Sequence, residues 1–190
     1  MNVVFLDIDG VLNNTNDWLL HRSNDLTQIY FISKTNMFYF METMRKIKDI
    51  KIVISSTWRL GGYDKFFERI NDIVPEYTHE FKSYLHEDWS TPKKMNSTRG
   101  EEIIFWLNNH KGEIEKYLCI DDDSDFRDDQ PLLQTHNDYG FGHREKVIMS
   151  SYFLGKDTYI RDVLYYLNSL KRILDKQEEF YNKYIKEDNN

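Results

Sequence analysis

Alanine is missing altogether from the 190 residues, and cysteine occurs once, as Cys119. A lone cysteine excludes an intramolecular disulfide and fits a reducing compartment. No uninterrupted apolar run approaches the roughly 20 residues that a membrane-spanning helix needs. The first residues also lack the basic leader and apolar core of a secretory signal. These absences lead us to expect a soluble, cytoplasmic protein with no membrane partner. Positive charge is in short supply too: 25 Lys and Arg face 32 Asp and Glu, for a formal net charge of -7. That balance is opposite to a general nucleic-acid coat or an anionic-membrane binder, though it permits a local basic patch around a phosphate. Repeats, low-complexity linkers and a Walker A loop are likewise absent, so there is no recognisable P-loop kinase.

What remains is a chain able to build a core. Apolar residues make up 40% and aromatics 15%, the balance of a globular domain rather than a disordered one. We expect one domain over 1–190, with small insertions at about 13–35 and 60–97. Val3 to Leu6 and Ile50 to Ile54 read as buried strands, as does Tyr117 to Ile120 with Cys119 inside it as a core residue. Pro131 to Thr135 reads as a further short strand. Met37, Phe38, Met41, Met44 and Ile47 recur at helical spacing, predicting a helix over about 36–48. Asp64 can cap a short helix carrying Phe66, Phe67 and Ile70. The mixed stretch 75–97 reads as a lobe or loop. Thr98 and Glu101 form a capping-box pattern opening a helix with Ile103, Ile104 and Leu107. From about 157 to 186 an apolar face including Ile160, Val163, Leu167 and Leu174 predicts a long amphipathic helix.

Buried strands separated by helices imply an α/β fold, a doubly wound parallel sheet, with at most a small cap. In such sheets ligands bind beyond the carboxyl ends of the strands. The first strand ends in FLDIDG, with two carboxylates one residue apart. Asp7 and Asp9 are costly to desolvate there without a partner, and a cation is the obvious one. Ser55 and Ser56 follow the second strand, Asp121 and Asp122 the third. Three distant stretches thus deliver carboxylates and hydroxyls to one sheet edge.

DIDG, the strand-then-serine IVISS, the helix-opening Arg99 and the strand-then-acids YLCIDDDSD resemble, in order and spacing, the four motifs of the haloacid dehalogenase-like (HAD) phosphatase superfamily. SSTWR and PLLQTHNDYG resemble more narrowly the HAD domain of Swiss-army-knife RNA repair proteins and, more loosely, the polynucleotide phosphatases. The resemblance implies a Mg²⁺-dependent phosphomonoesterase working through an aspartyl-phosphate. It makes Asp7 the nucleophile and a metal ligand. Asp9 becomes the general acid and base, with its carbonyl on the metal. Asp122, with Asp121 beside it, completes the metal site, and Asp125 supports it from behind. Gly10 lets the chain turn so that backbone N–H groups face phosphate. Ser55 and Ser56 contact the phosphoryl oxygens. Arg99 offsets their charge, in preference to Lys93 and Lys94. Arg59 either anchors a substrate phosphate or pairs with a surface acid. Trp58 is expected to pack rather than to stack on a base, and His136 and His143 to be structural or exposed.

The expected partner is a nucleotide or a nucleic-acid terminal phosphate. A small phosphorylated metabolite and a non-catalytic binding or regulatory module are the alternatives.

Overall fold

The first strand, β1 (Asn2–Leu6), shows how the sequence sets the layers. Side chains alternate across a strand, so Val3 and Phe5 join one apolar cluster with Val53, Cys119, Ile103 and Trp106. Val4 and Leu6 join the other, with Ile52, Ile54, Leu118 and Ile120. Both faces are dry, as a parallel sheet requires. The structure, a computed structural model, describes residues 1–22 and 31–155. The helix expected over 157–186 lies outside them.

Four further strands complete the sheet: β2 (Ile50–Ile54), β3 (Leu85–Ser90), β4 (Lys116–Asp121) and β5 (Leu132–Gln134). Their order is β3-β2-β1-β4-β5, and every pairing is parallel. The chain moves outward from β1 through β2 to β3, then crosses back to β4 on the other side of β1. The switch point therefore lies between β1 and β4, where a crevice forms at the carboxyl ends.

The helices are α1 (Thr15–Arg22), α2 (Lys34–Met44), α3 (Tyr63–Ile73), α4 (Pro75–Ser83), α5 (Arg99–Asn109) and α6 (His143–Leu154). Phe40 and Met41 of α2, Phe66 and Ile70 of α3, Phe81 of α4 and Met149 of α6 pack on one face. Ile103 and Trp106 of α5 pack on the other, where Trp106 meets Phe5 edge to face at 5.3 Å. The Ser33 hydroxyl caps α2 by accepting from the Asn36 N–H, so this helix starts and stops earlier than the spacing of apolar residues implied. Among the described residues no helix is long and apolar enough to cross a membrane.

The stretch 75–97 departs from the expected lobe, because it holds α4 and β3, part of the sheet itself. LHEDWS lacks strand alternation because β3 is an edge strand with Leu85 as its one buried residue. Helix α6 is likewise absent from the elements expected from the sequence. Its first turn is closed by Glu145, whose side chain accepts from the Gly142 N–H at 3.0 Å.

Candidate active site

Neighbouring strands end together at the switch point. Leu6 of β1 is in register with Ile120 of β4, and the Asp7 N–H donates to the Ile120 carbonyl at 3.0 Å. Asp7 and Asp121 therefore leave the sheet side by side. Together with Asp122 they bring carboxylate oxygens within 4.8 Å of one another. Asp7 and Asp121 are buried and Asp122 is half-buried.

Holding such charges together out of water is unfavourable, and it shifts their pKa values upward. Burial, reinforced by Asp121, pushes Asp7 up to about 7 against the pull of Arg99. Burial likewise raises Asp121 to about 6, with Arg99 opposing, and raises Asp122. The Asp121 Oδ2 atom is buried without a hydrogen-bond partner. A buried carboxylate oxygen left this way carries a desolvation cost that a cation would relieve. The donor set is all oxygen, which suits a hard divalent cation.

The surrounding backbone keeps the acids close. Gly10 sits at φ +66, and a Cβ there would collide with the Asp122 carboxylate. The Thr135 hydroxyl donates to the Gly10 carbonyl at 2.8 Å, while its N–H donates to the Asp121 carbonyl at 2.9 Å. One residue after β5 thus ties the two acidic turns together.

Arg99 enters from the opposite wall as the first residue of α5. Thr98 and Glu101 form the reciprocal capping box there, and the Asp125 carboxylate accepts from the Arg99 N–H at 3.0 Å. The Arg99 Nη1 donates to Asp7 Oδ1 at 2.9 Å and to the Ser55 carbonyl, and lies 3.8 Å from Asp121 Oδ2. Burial works against its charge, but Asp7 and Asp121 outweigh burial and raise its pKa. Lys94 is engaged elsewhere, with its ammonium 3.3 Å from the Phe105 ring centroid. A buried acidic pair with Asp122 beside it thus sits at the switch point, faced by an arginine on a helix N-terminus. The family model for the HAD domain in Swiss Army Knife RNA repair proteins matches residues 3–145.

The chain belongs to that HAD family. Membership makes it a phosphatase-type hydrolase domain acting on phosphorylated substrates, in a family that generally uses Mg²⁺. No curated protein and no solved structure matches the chain.

In this HAD domain Ser55 is buried directly after β2, its N–H donating to the Leu6 carbonyl at 2.9 Å. Ser56 caps the 3-10 turn Thr57–Gly61 by accepting from the Trp58 N–H. Of the two readings of Arg59, phosphate anchor or partner of an acid, the structure shows the pairing. Its Nε donates to the Thr91 carbonyl at 2.7 Å, and its Nη1 to the Ser55 and Ser56 carbonyls at 2.5 and 2.6 Å. Its Nη2 donates to Glu102 Oε2 at 2.6 Å. A guanidinium has five N–H donors, and four of these are spent inward, so Arg59 braces the serine loop. The acid it pairs with is buried rather than on the surface.

Asp9 stands outside the acidic cluster. Its carboxylate accepts from the Trp58 indole N–H at 3.0 Å and from the Asn13 amide at 2.8 Å. Asn13 Oδ1 in turn accepts from the Gly10 N–H at 2.8 Å, so this backbone donor is already partnered. On the same side opens a cavity of about 410 Å³, lined by Asp9, Trp18, Phe31, Trp58 and Asn137 among others. A second cavity, of about 920 Å³, opens beside Asp122 and is lined by His136, His143 and Arg144 among others.

Asn13, Trp58, Glu102 and Thr135 are the contributors that sequence reasoning missed or placed elsewhere. Asn13 had one available signal, its position four residues after Asp9 on the same turn. Glu102 reads as an ordinary first-turn helix acid, and Thr135 as the end of a strand.

Proposed function

We propose that the domain is a Mg²⁺-dependent phosphomonoesterase acting through an aspartyl-phosphate on Asp7, with a nucleotide or nucleic-acid terminal phosphate as substrate. The observation carrying this reading is the Asp7–Asp121–Asp122 cluster faced by Arg99, with one buried Asp121 oxygen that has no hydrogen-bond partner. Asp7, Asp121 and Asp122 would hold the metal, and Asp9 would add its backbone carbonyl. Mg²⁺ supplies charge neutralisation between a carboxylate nucleophile and an anionic phosphate when bound.

The chain's own residues then have separable tasks. Arg99 holds the Asp7 carboxylate in place and offsets charge on the phosphoryl oxygens. An Asp7 oxygen attacks phosphorus and the ester oxygen leaves, taking a proton from the Asp9 carboxyl. Water then attacks the acyl phosphate, giving its proton to Asp9 and restoring Asp7. Trp58 and Asn13 orient Asp9 for both transfers. The Ser55 and Ser56 hydroxyls are assigned to the phosphoryl oxygens, and the turn at Gly10 to phosphate approach. Arg59 supports that loop from behind.

The test is phosphate release from a generic aryl phosphate, with and without Mg²⁺, in wild type and Asp7→Asn. Metal-dependent turnover abolished by the substitution supports the reading. No metal-dependent turnover on any phosphate ester would hand the site to a non-catalytic binding module. The net charge of -7 favours one second reading, a phosphatase of small metabolites rather than polynucleotides.

A further inference from the structure

The cavity beside Asp9 has a composition unlike that of the acidic cluster. Trp18 of α1, Phe31 ahead of α2 and Trp58 of the 3-10 turn bring three aromatic residues to its wall, and the exposed Asn137 also lines it. His21 stacks on Phe31 at 5.0 Å and 26°, fixing that ring. Trp58 is fixed by its indole hydrogen bond to Asp9. A volume of about 410 Å³ lies in the range of small-molecule clefts, which run roughly 300–1,000 Å³.

Its position assigns it to one end of the substrate. A general acid must lie within hydrogen-bond reach of the oxygen that it protonates. If Asp9 serves the leaving oxygen, the organic part of the ester extends from Asp9 away from the metal cluster, into this cleft. Aromatic walls favour a planar ring there, and the Asn137 amide can donate to and accept from a ring edge. Charge decides between a single nucleoside and a strand. Among the described residues lining the cleft there is no lysine or arginine, and the one charged group is Asp9. A polynucleotide carries further phosphates that need cationic partners, and the described residues of this wall offer none.

We infer that the Trp18–Phe31–Trp58 cleft stacks the base of a nucleoside monophosphate, making a mononucleotide rather than a strand end the preferred substrate. This rests on the reading of Asp9 and Asp7 given above.

The experiment has a binding arm and a kinetic arm. Adenosine and uridine, which carry no phosphate, are titrated into the full chain while tryptophan fluorescence is followed. Saturable quenching is expected for at least one of them, weakened about tenfold or more in Trp18→Ala and largely restored in Trp18→Phe. In the kinetic arm, kcat/KM is compared for the two nucleosides' 3′- and 5′-monophosphates, ribose 5-phosphate and 5′- or 3′-phosphorylated oligonucleotides. The best mononucleotide should exceed ribose 5-phosphate by about tenfold or more. That ratio should fall toward one in Trp18→Ala, and mononucleotide binding should depend weakly on salt.

Equal turnover of ribose 5-phosphate, or preference for an oligonucleotide with steep salt dependence, would overturn the inference. If no ester is hydrolysed, the catalytic reading fails and the nucleoside titration alone decides the cleft. Quenching sensitive to Trp18 then upholds it, and no binding of either nucleoside refutes it.

Discussion

Two buried clusters a few residues apart use the same ingredients to opposite effect. Arg59 and Glu102 form a closed set: the guanidinium is spent on three carbonyls and one carboxylate oxygen. The other Glu102 oxygen accepts from the Lys94 N–H and the Ser97 hydroxyl. Across the Ser55 loop, Arg99 faces Asp7 and Asp121, with Asp122 completing the acidic group, and one Asp121 oxygen has no hydrogen-bond partner. The first cluster is complete and holds a loop. The second has a surplus of negative charge and is kept that way by its backbone, with Gly10 and Thr135 drawing the acidic turns together. Polar groups that satisfy one another build structure, whereas groups left wanting a partner can bind one.

The same substitution at the two sites should therefore have opposite signs. Glu102→Gln leaves the Arg59 charge buried without its carboxylate, and breaking such a pair costs about 3–5 kcal/mol. Thermal or urea melts should show this loss, and a change below about 1 kcal/mol would mean the closed set is not what holds the Ser55 loop. Asp121→Asn in the metal-free protein should instead raise the melting temperature at neutral pH, because it removes a like charge beside Asp7 and preserves shape. A drop there would contradict the surplus-charge description.

Gly10→Ala probes how tightly the open cluster is drawn. A non-glycine residue held in a sparsely populated backbone region costs about 1–3 kcal/mol. The methyl group also meets the Asp122 carboxylate. The variant should be destabilised and should bind Mg²⁺ more weakly by calorimetry, both by more than Gly112→Ala, whose Cβ would meet open space at a similar positive φ.

The smallest effect expected is in pH dependence. Asp7 and Asp121 have folded-state pKa values raised from ordinary carboxylate values to about 7 and about 6. A raised carboxyl binds its proton more tightly folded than unfolded, so its neutral form favours the fold at low pH. That contribution fades as pH climbs from about 4 through 7. Metal-free protein should therefore lose stability over this window, opposing the gain from ordinary surface pairs. Saturating Mg²⁺ should flatten the loss, since metal ligands bind as carboxylates. Identical pH profiles with and without Mg²⁺ would argue that the ion does not use these acids.

The chemistry-bearing half of the comparison was more legible in the sequence than the structural half. Val3–Leu6, Ile50–Ile54 and Tyr117–Ile120 announce themselves because central parallel strands are apolar on both faces. Acids and serines placed after them are conspicuous for being polar where the strand ends. Arg99 is legible through its capping box. Arg59 was not, because nothing in SSTWR tells whether a guanidinium turns outward to phosphate or inward to carbonyls. Glu102 was hidden for the same reason, its partner lying 43 residues earlier in the chain. The edge strand β3 escaped notice because one buried leucine gives no alternation to read. The aromatic cleft draws on three separate segments, which only the fold brings together.

The proposed chemistry requires Asp7 to become covalently phosphorylated. The most direct measurement is acid quenching during turnover of an aryl phosphate with Mg²⁺, followed by mass spectrometry of the peptide carrying Asp7. One added HPO₃ group is expected on Asp7, absent when Mg²⁺ is chelated and absent in Asp7→Asn. Turnover with an unmodified Asp7 at every quench time, or label on another residue, would contradict it.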